Sequence, residues 1–226
     1  MLAAANFPML DGLPADVRAA VLDQMVRRRW AAGAIVCREG DIGETLHMVS
    51  AGRFMARTVT ITGEEAALAV LGPGAVFGEQ VLLEHRERRN ATIVAIGDAE
   101  TLVATVADVN ELRRNHPGID RFLIDVLSDR ARRLTHLLLE ARHVDADSRV
   151  LHRLTELADI FADDPEDPTS TVPLRQEDLA AMAGTTRPTV NKVLRVIEKE
   201  GLVTLGRGRV DVVDRGRLAE RAGLRR

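Results

Sequence analysis

The spacing of apolar positions changes three times along this chain, and each change predicts a different architecture. Over Asn6–Trp30, the residues Leu13, Val17, Val21, Met25 and Val26 recur at helical spacing, with Pro14 near a start. An amphipathic helix is expected there. From Ala31 to Val106 the apolar runs shorten. Glycine-bearing turns separate them at Gly33, Gly40-Asp41, Gly52, Gly63, Gly72-Pro73-Gly74, Gly78 and Gly97-Asp98. Turn signals every ~8–12 residues indicate an all-β barrel or sandwich, and the long 3.6-period stretches of a helical domain are absent.

Helical period returns after Val106. Asn115-His116-Pro117 ends one short helix, and a long run follows over Ile119–Val144. Leu123, Leu127, Arg130, Leu134, Leu137, Ala141 and Val144 alternate spacings of four and three, the seam of a coiled coil interrupted by Arg130. A homodimer is expected. The alternative is a helix packed on its own domain, since Phe122, Val126 and Leu138 widen the stripe. Val144–Ser148 reads as a hinge, with Asp147 or Ser148 capping a helix over Arg149–Phe161. That helix has Leu151, Leu154, Leu157, Ala158 and Phe161 on one face. Asp163–Thr171, with two prolines and four acids, is expected to be a solvated surface loop with no metal site. Arg215–Arg226 reads as a short basic tail, at most a frayed helix at the surface.

Between the loop and the tail lies the most patterned stretch, Gln176–Val213. Ala180 follows Gln176 by four residues, Gly184 by eight and Val190 by fourteen, the spacing of a helix-turn-helix. A small residue at Ala180 lets the second helix approach, and Gly184 suits the left-handed turn. Thr186 can cap the second helix, with Pro188 in its first turn. Over Arg187–Glu200, Val190, Val193, Leu194 and Ile197 share one face. Gly201 stops the helix. Leu202–Leu205 and Arg209–Val213 alternate as two strands around Gly206-Arg207-Gly208. This is the pattern of a winged helix-turn-helix, and double-stranded DNA is the expected partner. The recognition helix reads a groove with its N-terminal residues while other basic groups hold phosphates. The candidate DNA contacts are Thr186, Arg187, Thr189, Asn191, Lys192, Arg207 and Arg209.

Composition narrows this picture. The 226 residues suffice for one large or two modest domains, and the net charge of −3 rules out a wholly basic DNA-coating protein. Positive charge is local: Arg187–Arg209 holds six Lys/Arg against two Glu. The single cysteine, Cys37, excludes an intrachain disulfide framework and a cysteine-ligated iron–sulfur cluster within one chain. No apolar run approaches ~18 residues, and no secretory signal is evident, so a cytoplasmic protein without membrane contact is expected.

A second chemistry lies in Phe77–Ile93. A glycine turn meets a short apolar helical segment, then a basic cluster, then a strand. Backbone N–H groups near Gly78 and a helix N-terminus make an anion nest. Arg89 adds a bidentate donor suited to phosphate, and Glu79 can accept from a ribose hydroxyl. The alternative is that Glu79 and Arg89 pair with each other across the turn.

With these residues the chain resembles the cyclic-AMP receptor/FNR family of bacterial transcription regulators over nearly its whole length. The resemblance rests on Gly40-Asp41, Leu46 and Gly52, on Gly78-Glu79 with Arg89-Asn90-Ala91-Thr92, on the long helix, and on Thr186-Arg187, Thr189-Val190 and Lys192. It implies an α+β fold. A jelly-roll-like β-roll that binds cyclic nucleotide would span residues 1–118. A dimerisation helix and hinge would cover 119–147, and a winged helix-turn-helix 148–226.

The resemblance also implies a cyclic AMP site. Gly78 and Ala91 would offer backbone groups to the cyclic phosphate, Arg89 would neutralise it, Asn90 would add an amide contact, and Glu79 would take the ribose 2′-hydroxyl. The family's two base-reading positions fall on Leu134 and Thr135, so one polar group is replaced by an apolar one. Arg130 is placed to reach the phosphate from the helix. A palindromic operator, a second copy of the chain and RNA polymerase are the implied partners, and no metal is. Pro188 and Lys192 depart from the family's DNA-reading pattern, which predicts a shifted half-site. A haem sensor would draw on His47, His85, His116, His136 or His143, each otherwise a surface or interface histidine. A regulator that binds DNA without a small-molecule effector, or with a different one, is the rival reading. An enzyme gated by the same domain is not expected, because no paired acids, metal-spaced histidines or nucleophile motif follow Val144.

Overall fold

In the computed structural model, placement is described for residues 7, 10–60, 63, 65–82, 88–116 and 118–224. The chain forms two units: Met1–Thr58 with Val70–Leu134, and Val59–Ala69 with Thr135–Arg226.

The strands up to Thr105 form two antiparallel sheets. Strands β1 (Val26–Trp30), β8 (Ala99–Thr105), β3 (Thr45–Ala51) and β6 (Val76–Phe77) form one sheet, in the order β1-β8-β3-β6. The other runs β2-β7-β4-β5, from β2 (Ile35–Cys37), β7 (Thr92–Ala95), β4 (Phe54–Val59) and β5 (Glu65–Leu71). Strand β3 has four consecutive buried residues, Leu46–Val49, so both its faces are covered. Val49 joins Phe54, Phe77, Ile93 and Ala99 between the sheets. Leu46 and Met48 point the other way. They pack against α1 (Ala15–Gln24), α2 (Val106–Asn115) and the first turns of α3 (Gly118–His143) through Val17, Val21, Val109, Leu112, Ile119 and Phe122. Thr105 caps α2 in a reciprocal box with Asp108, which fixes where strand becomes helix.

The helix expected over Asn6–Trp30 is shorter than its pattern. The α-helix covers Ala15–Gln24, and Val26–Trp30 is strand β1. A five-residue antiparallel register with β8 wins there, backed by Arg27 and Arg29 on the buried carboxylate of Glu100. Residues 6, 8 and 9, at the start of that stretch, lie outside the described residues.

In the second unit, α4 (Ala146–Ile160) buries Leu151, Leu154, Leu157 and Ala158 as expected. Each such side chain contributes ~1.5–3 kcal/mol. Its cap is Asp145, earlier than either expected residue, because that carboxylate accepts from both the backbone N–H and the hydroxyl of Ser148. Helices α5 (Gln176–Met182) and α6 (Arg187–Lys199) follow, then β10 (Val203–Gly206) and β11 (Arg209–Val212).

Two sequence readings fail here. The solvated loop contains a third wing strand, β9 (Ser170–Val172), paired with β11, and Ser170 is buried. The basic tail is helix α7 (Arg215–Arg221), with Leu218 fully buried. Arg215 is buried too. Its guanidinium donates to the carbonyls of Asp164, Pro165 and Asp167 and to the carboxylate of Asp159. The loop is held by an arginine some fifty residues away, so composition alone misplaces both segments.

Candidate effector site and nucleic-acid interface

The β-roll brings Gly78, Glu79, Arg89 and Arg130 together. Gly78 follows β6 at φ +82°, and a Cβ there would stand 2.3 Å from Arg89 Nη1 and 2.6 Å from the Thr45 carbonyl. Only glycine admits this approach. Glu79 opens a 3-10 turn, Glu79–Leu82. Residues 83–87, between this turn and the arginine, lie outside the described residues. Arg89 is anchored through its backbone: Gly40 N–H donates to the Arg89 carbonyl, and Arg89 N–H donates to the Asp41 carbonyl, each at 2.8 Å. The Gly40-Asp41 turn thus sets the height of the arginine.

The side chains divide their bonds unequally. Arg89 is 8% exposed and its Nη2 donates to the carbonyl of Thr45 (2.8 Å) and to its hydroxyl (2.9 Å). Its Nη1 is buried with no partner among the described residues. Glu79 is 4% exposed; Oε1 accepts from Arg130, while Oε2 is buried with no partner among the described residues. Glu79 and Arg89 therefore do not pair across the turn. Each keeps one unsatisfied polar atom, and burying such atoms costs free energy unless something meets them. A hydroxyl donor for Glu79 and an anionic acceptor for Arg89 would complete both.

Arg130 donates to the carboxylate of Glu79. Asn90 is exposed and Ala91 buried. Thr135 belongs to the second unit and is exposed on α3. The apolar seam is exposed within a single chain around it: Leu134 is 58% exposed, with Leu138 and Leu139 similar. His47 is neither surface nor interface. It is buried, stacked on Phe77 at 4.7 Å, with both ring nitrogens held by threonine hydroxyls, so no lone pair is offered to haem. His136 and His143 are exposed, and His85 lies outside the described residues. Among the described residues no group of three or more His, Cys, Asp and Glu could hold a metal ion.

In the second unit α6 carries Val190, Val193, Leu194 and Ile197 inward, all buried, as the period predicts. Thr186 caps it by accepting from Thr189 N–H. Gly184, at φ +58°, makes the turn between α5 and α6. Arg149 locks that turn by donating to the carbonyls of Ala183 and Gly184, a support with no signature in the sequence. Thr186, Arg187, Thr189, Asn191, Lys192, Arg207 and Arg209 are all exposed or partly so on α6 and the wing. Most lean on weak partners: Arg187 on Glu177 (3.2 Å), Lys192 on Asp147 (2.8 Å), Asn191 on Gln176 (3.2 Å) and Arg209 on Asp211 (3.0 Å). Arg207, on the wing turn, has no ion pair among the described residues. Exposed pairs of this kind are worth ~0–1 kcal/mol, so a phosphate displaces them cheaply.

Two family models match the chain. Residues 27–116 match the cyclic nucleotide-binding domain, and residues 132–221 match the Crp-like helix-turn-helix domain. That combination defines a class, regulators that couple a nucleotide-binding roll to a DNA-binding module. Within it, the chain is 33% identical to the cyclic AMP receptor protein of Thermus thermophilus over 94% of this chain and 95% of that protein. It is 28% identical to a CRP-like cAMP-activated global transcriptional regulator of Mycobacterium tuberculosis, over 96% and 97%.

The solved Thermus thermophilus catabolite activator protein aligns over 96% of this chain and all of that one at TM-score 0.55 and 33% identity. A CRP/FNR-family regulator from the same organism aligns over 89% of this chain and all of that one, at TM-score 0.72 and 22% identity. The chain belongs to the cyclic-AMP receptor/FNR family of transcription regulators. It is a DNA-binding regulator with a cyclic nucleotide-binding domain, and not an enzyme. Among the described residues no helix is long and apolar enough to cross a membrane.

Proposed function

We propose that this regulator is a homodimer switched by a cyclic nucleotide, with cyclic AMP the leading candidate. The supporting observation is the pair of buried, unpartnered atoms beside Gly78, Arg89 Nη1 and Glu79 Oε2. An anionic phosphate and a ribose hydroxyl are the groups that satisfy them. The names of the Thermus and Mycobacterium relatives support cyclic AMP over another nucleotide. Gly78, Ala91 and Asn90 would complete the phosphate cradle, Arg130 would orient Glu79, and Thr135 would meet the base. The leucine at 134 leaves one polar group for that base, which predicts modest discrimination between adenine and guanine nucleotides.

Domain bounds of 1–118, 119–147 and 148–226 go with this reading. The exposed Leu134 and Leu138 would be covered by the same face of a second chain. Two recognition helices would then read a palindromic operator, Arg187 and Asn191 at base edges and Lys192, Arg207 and Arg209 on phosphates. RNA polymerase would be a further partner, and the location would be cytoplasmic. Coupling requires that nucleotide and operator favour the same state of the dimer. A binding selection on random duplexes, with and without cyclic AMP, tests the proposal. A palindromic site enriched only with cyclic AMP supports it. Equal enrichment without nucleotide supports an effector-independent regulator of the same fold.

A further inference from the structure

The buried histidine beside the effector site is used by nothing so far described. Arg89 binds through Thr45: its Nη2 donates to the Thr45 hydroxyl at 2.9 Å. That same hydroxyl lies 2.9 Å from His47 Nε2. His47 Nδ1 lies 3.3 Å from the hydroxyl of Thr101, which also accepts from Trp30 Nε1–H at 3.0 Å. The ring is clamped flat on Phe77, 9° from parallel, and His47 and Thr101 are both buried.

Donor arithmetic restricts this chain. Arg and Trp can only donate, so both threonine oxygens accept at the ends and each has one proton left. A neutral imidazole between them completes the path in either of two directions, accepting from one threonine and donating to the other. Burial, with Arg89 and Arg28 adding to it, pushes the imidazole down to about 3, so the ring is neutral throughout the physiological range. A charged ring one hydroxyl away from Arg89 would repel the group it holds.

We propose that His47 is a positioning residue for effector binding: through Thr45 it fixes the guanidinium of Arg89 with one arm satisfied by protein and the other aimed at the anion. The inference rests on the reading of Arg89 as the phosphate-binding residue. It explains why Nη1 stays unpartnered. Two acceptors on Thr45 hold Nη2, and rotating the guanidinium to satisfy Nη1 would break both bonds and leave Thr45 and His47 mismatched. The chain's one tryptophan stands at the far end of the same path, with its ring 6.3 Å from His47, and supplies a built-in reporter.

Cyclic AMP is titrated calorimetrically into full-length wild type, Arg89→Ala, His47→Phe and His47→Gln, with Trp30 emission followed in parallel. His47→Phe keeps the stack on Phe77 and removes both hydrogen bonds; His47→Gln restores a group that can donate and accept. Circular dichroism melting confirms that each variant folds. The expected result is a loss of roughly tenfold in affinity for His47→Phe, the upper end of what one neutral hydrogen bond contributes. His47→Gln recovers most of it, and the nucleotide-dependent change in Trp30 emission is absent in His47→Phe. Wild-type affinity in a folded His47→Phe, alongside lost binding in Arg89→Ala, overturns the inference and leaves the site intact. Equal losses in His47→Phe and His47→Gln also overturn it, since packing alone would then be the role. Wild type that binds no cyclic AMP, or Arg89→Ala that binds unchanged, overturns the reading of the site itself.

Discussion

The proposed effector site and the proposed DNA-reading face both present arginine, and they hold it in opposite ways. Arg89 is 8% exposed, its backbone is tied to Gly40 and Asp41, and one arm of its fork is fixed before any ligand arrives. Arg187 has a side chain 66% exposed and leans on a single exposed glutamate. Lys192 is 69% exposed. Buried and pre-set donors act at low dielectric and lose little freedom on binding, so few of them suffice. Exposed ones are screened, and only their sum holds DNA. Removing one residue should therefore collapse the first site and merely erode the second.

The largest expected effect lies in the proposed dimer seam. Leu134→Asp places two like charges face to face where the proposed dimer is apolar, and burying them costs several kcal/mol. Sedimentation should show monomers, and operator affinity should fall by the loss of a whole half-site. The groups of the effector site on one chain, Gly78, Glu79, Arg89 and Arg130, keep their contacts. A full dimer in this variant would put the interface elsewhere.

Arg89→Ala comes next. It removes a charge-assisted contact worth about 1.5–3 kcal/mol, and it strands Thr45 and His47 besides. Calorimetry should register nucleotide binding at least tenfold weaker, with affinity for DNA in the absence of nucleotide unchanged. An unaltered nucleotide affinity would make the cassette purely structural.

On the DNA side the effect of each single contact is no larger, and the effects are of two kinds. Arg187→Ala should cost ~1–3 kcal/mol per half-site and relax preference at one base pair, if its guanidinium reads guanine. Competition between specific and scrambled duplexes measures this; an intact ratio would mean another residue occupies the groove. Arg207→Ala should be the mildest change. It should weaken all sequences alike and reduce the slope of log affinity against log salt by about 0.9, one phosphate contact. A change in sequence preference instead would give the wing a reading role.

The same contrast governs what was legible in the sequence. Helix α6 could be read because its signals are local: the Thr186 cap, Pro188 in the first turn, four inward apolar residues and the Gly201 stop all lie within one element. The glycine and the charged pair of the effector site were also legible, as a cassette, but not their bonding. Glu79 pairs with Arg130 from a helix fifty residues on, and Arg89 rests on Thr45 from another strand. His47 looked like a surface residue because alternation in β3 is hidden when both faces are covered. Likewise β9 is three residues in an acidic loop, and it exists only because β11 arrives to pair with it. Arg149 and Arg215, which hold the turn and the loop by donating to carbonyls, carry no pattern at all. Long-range polar contacts are the part of this fold that periodicity cannot see.

The central claim is that nucleotide at the buried site governs reading at the exposed one. Fluorescence anisotropy of a labelled, selected palindromic duplex, titrated with wild type and with Arg89→Ala in the presence and absence of cyclic AMP, tests it directly. Wild type should bind at least several-fold more tightly with cyclic AMP, and Arg89→Ala should show the weaker affinity in both conditions. Equal wild-type affinity with and without the nucleotide would contradict the account.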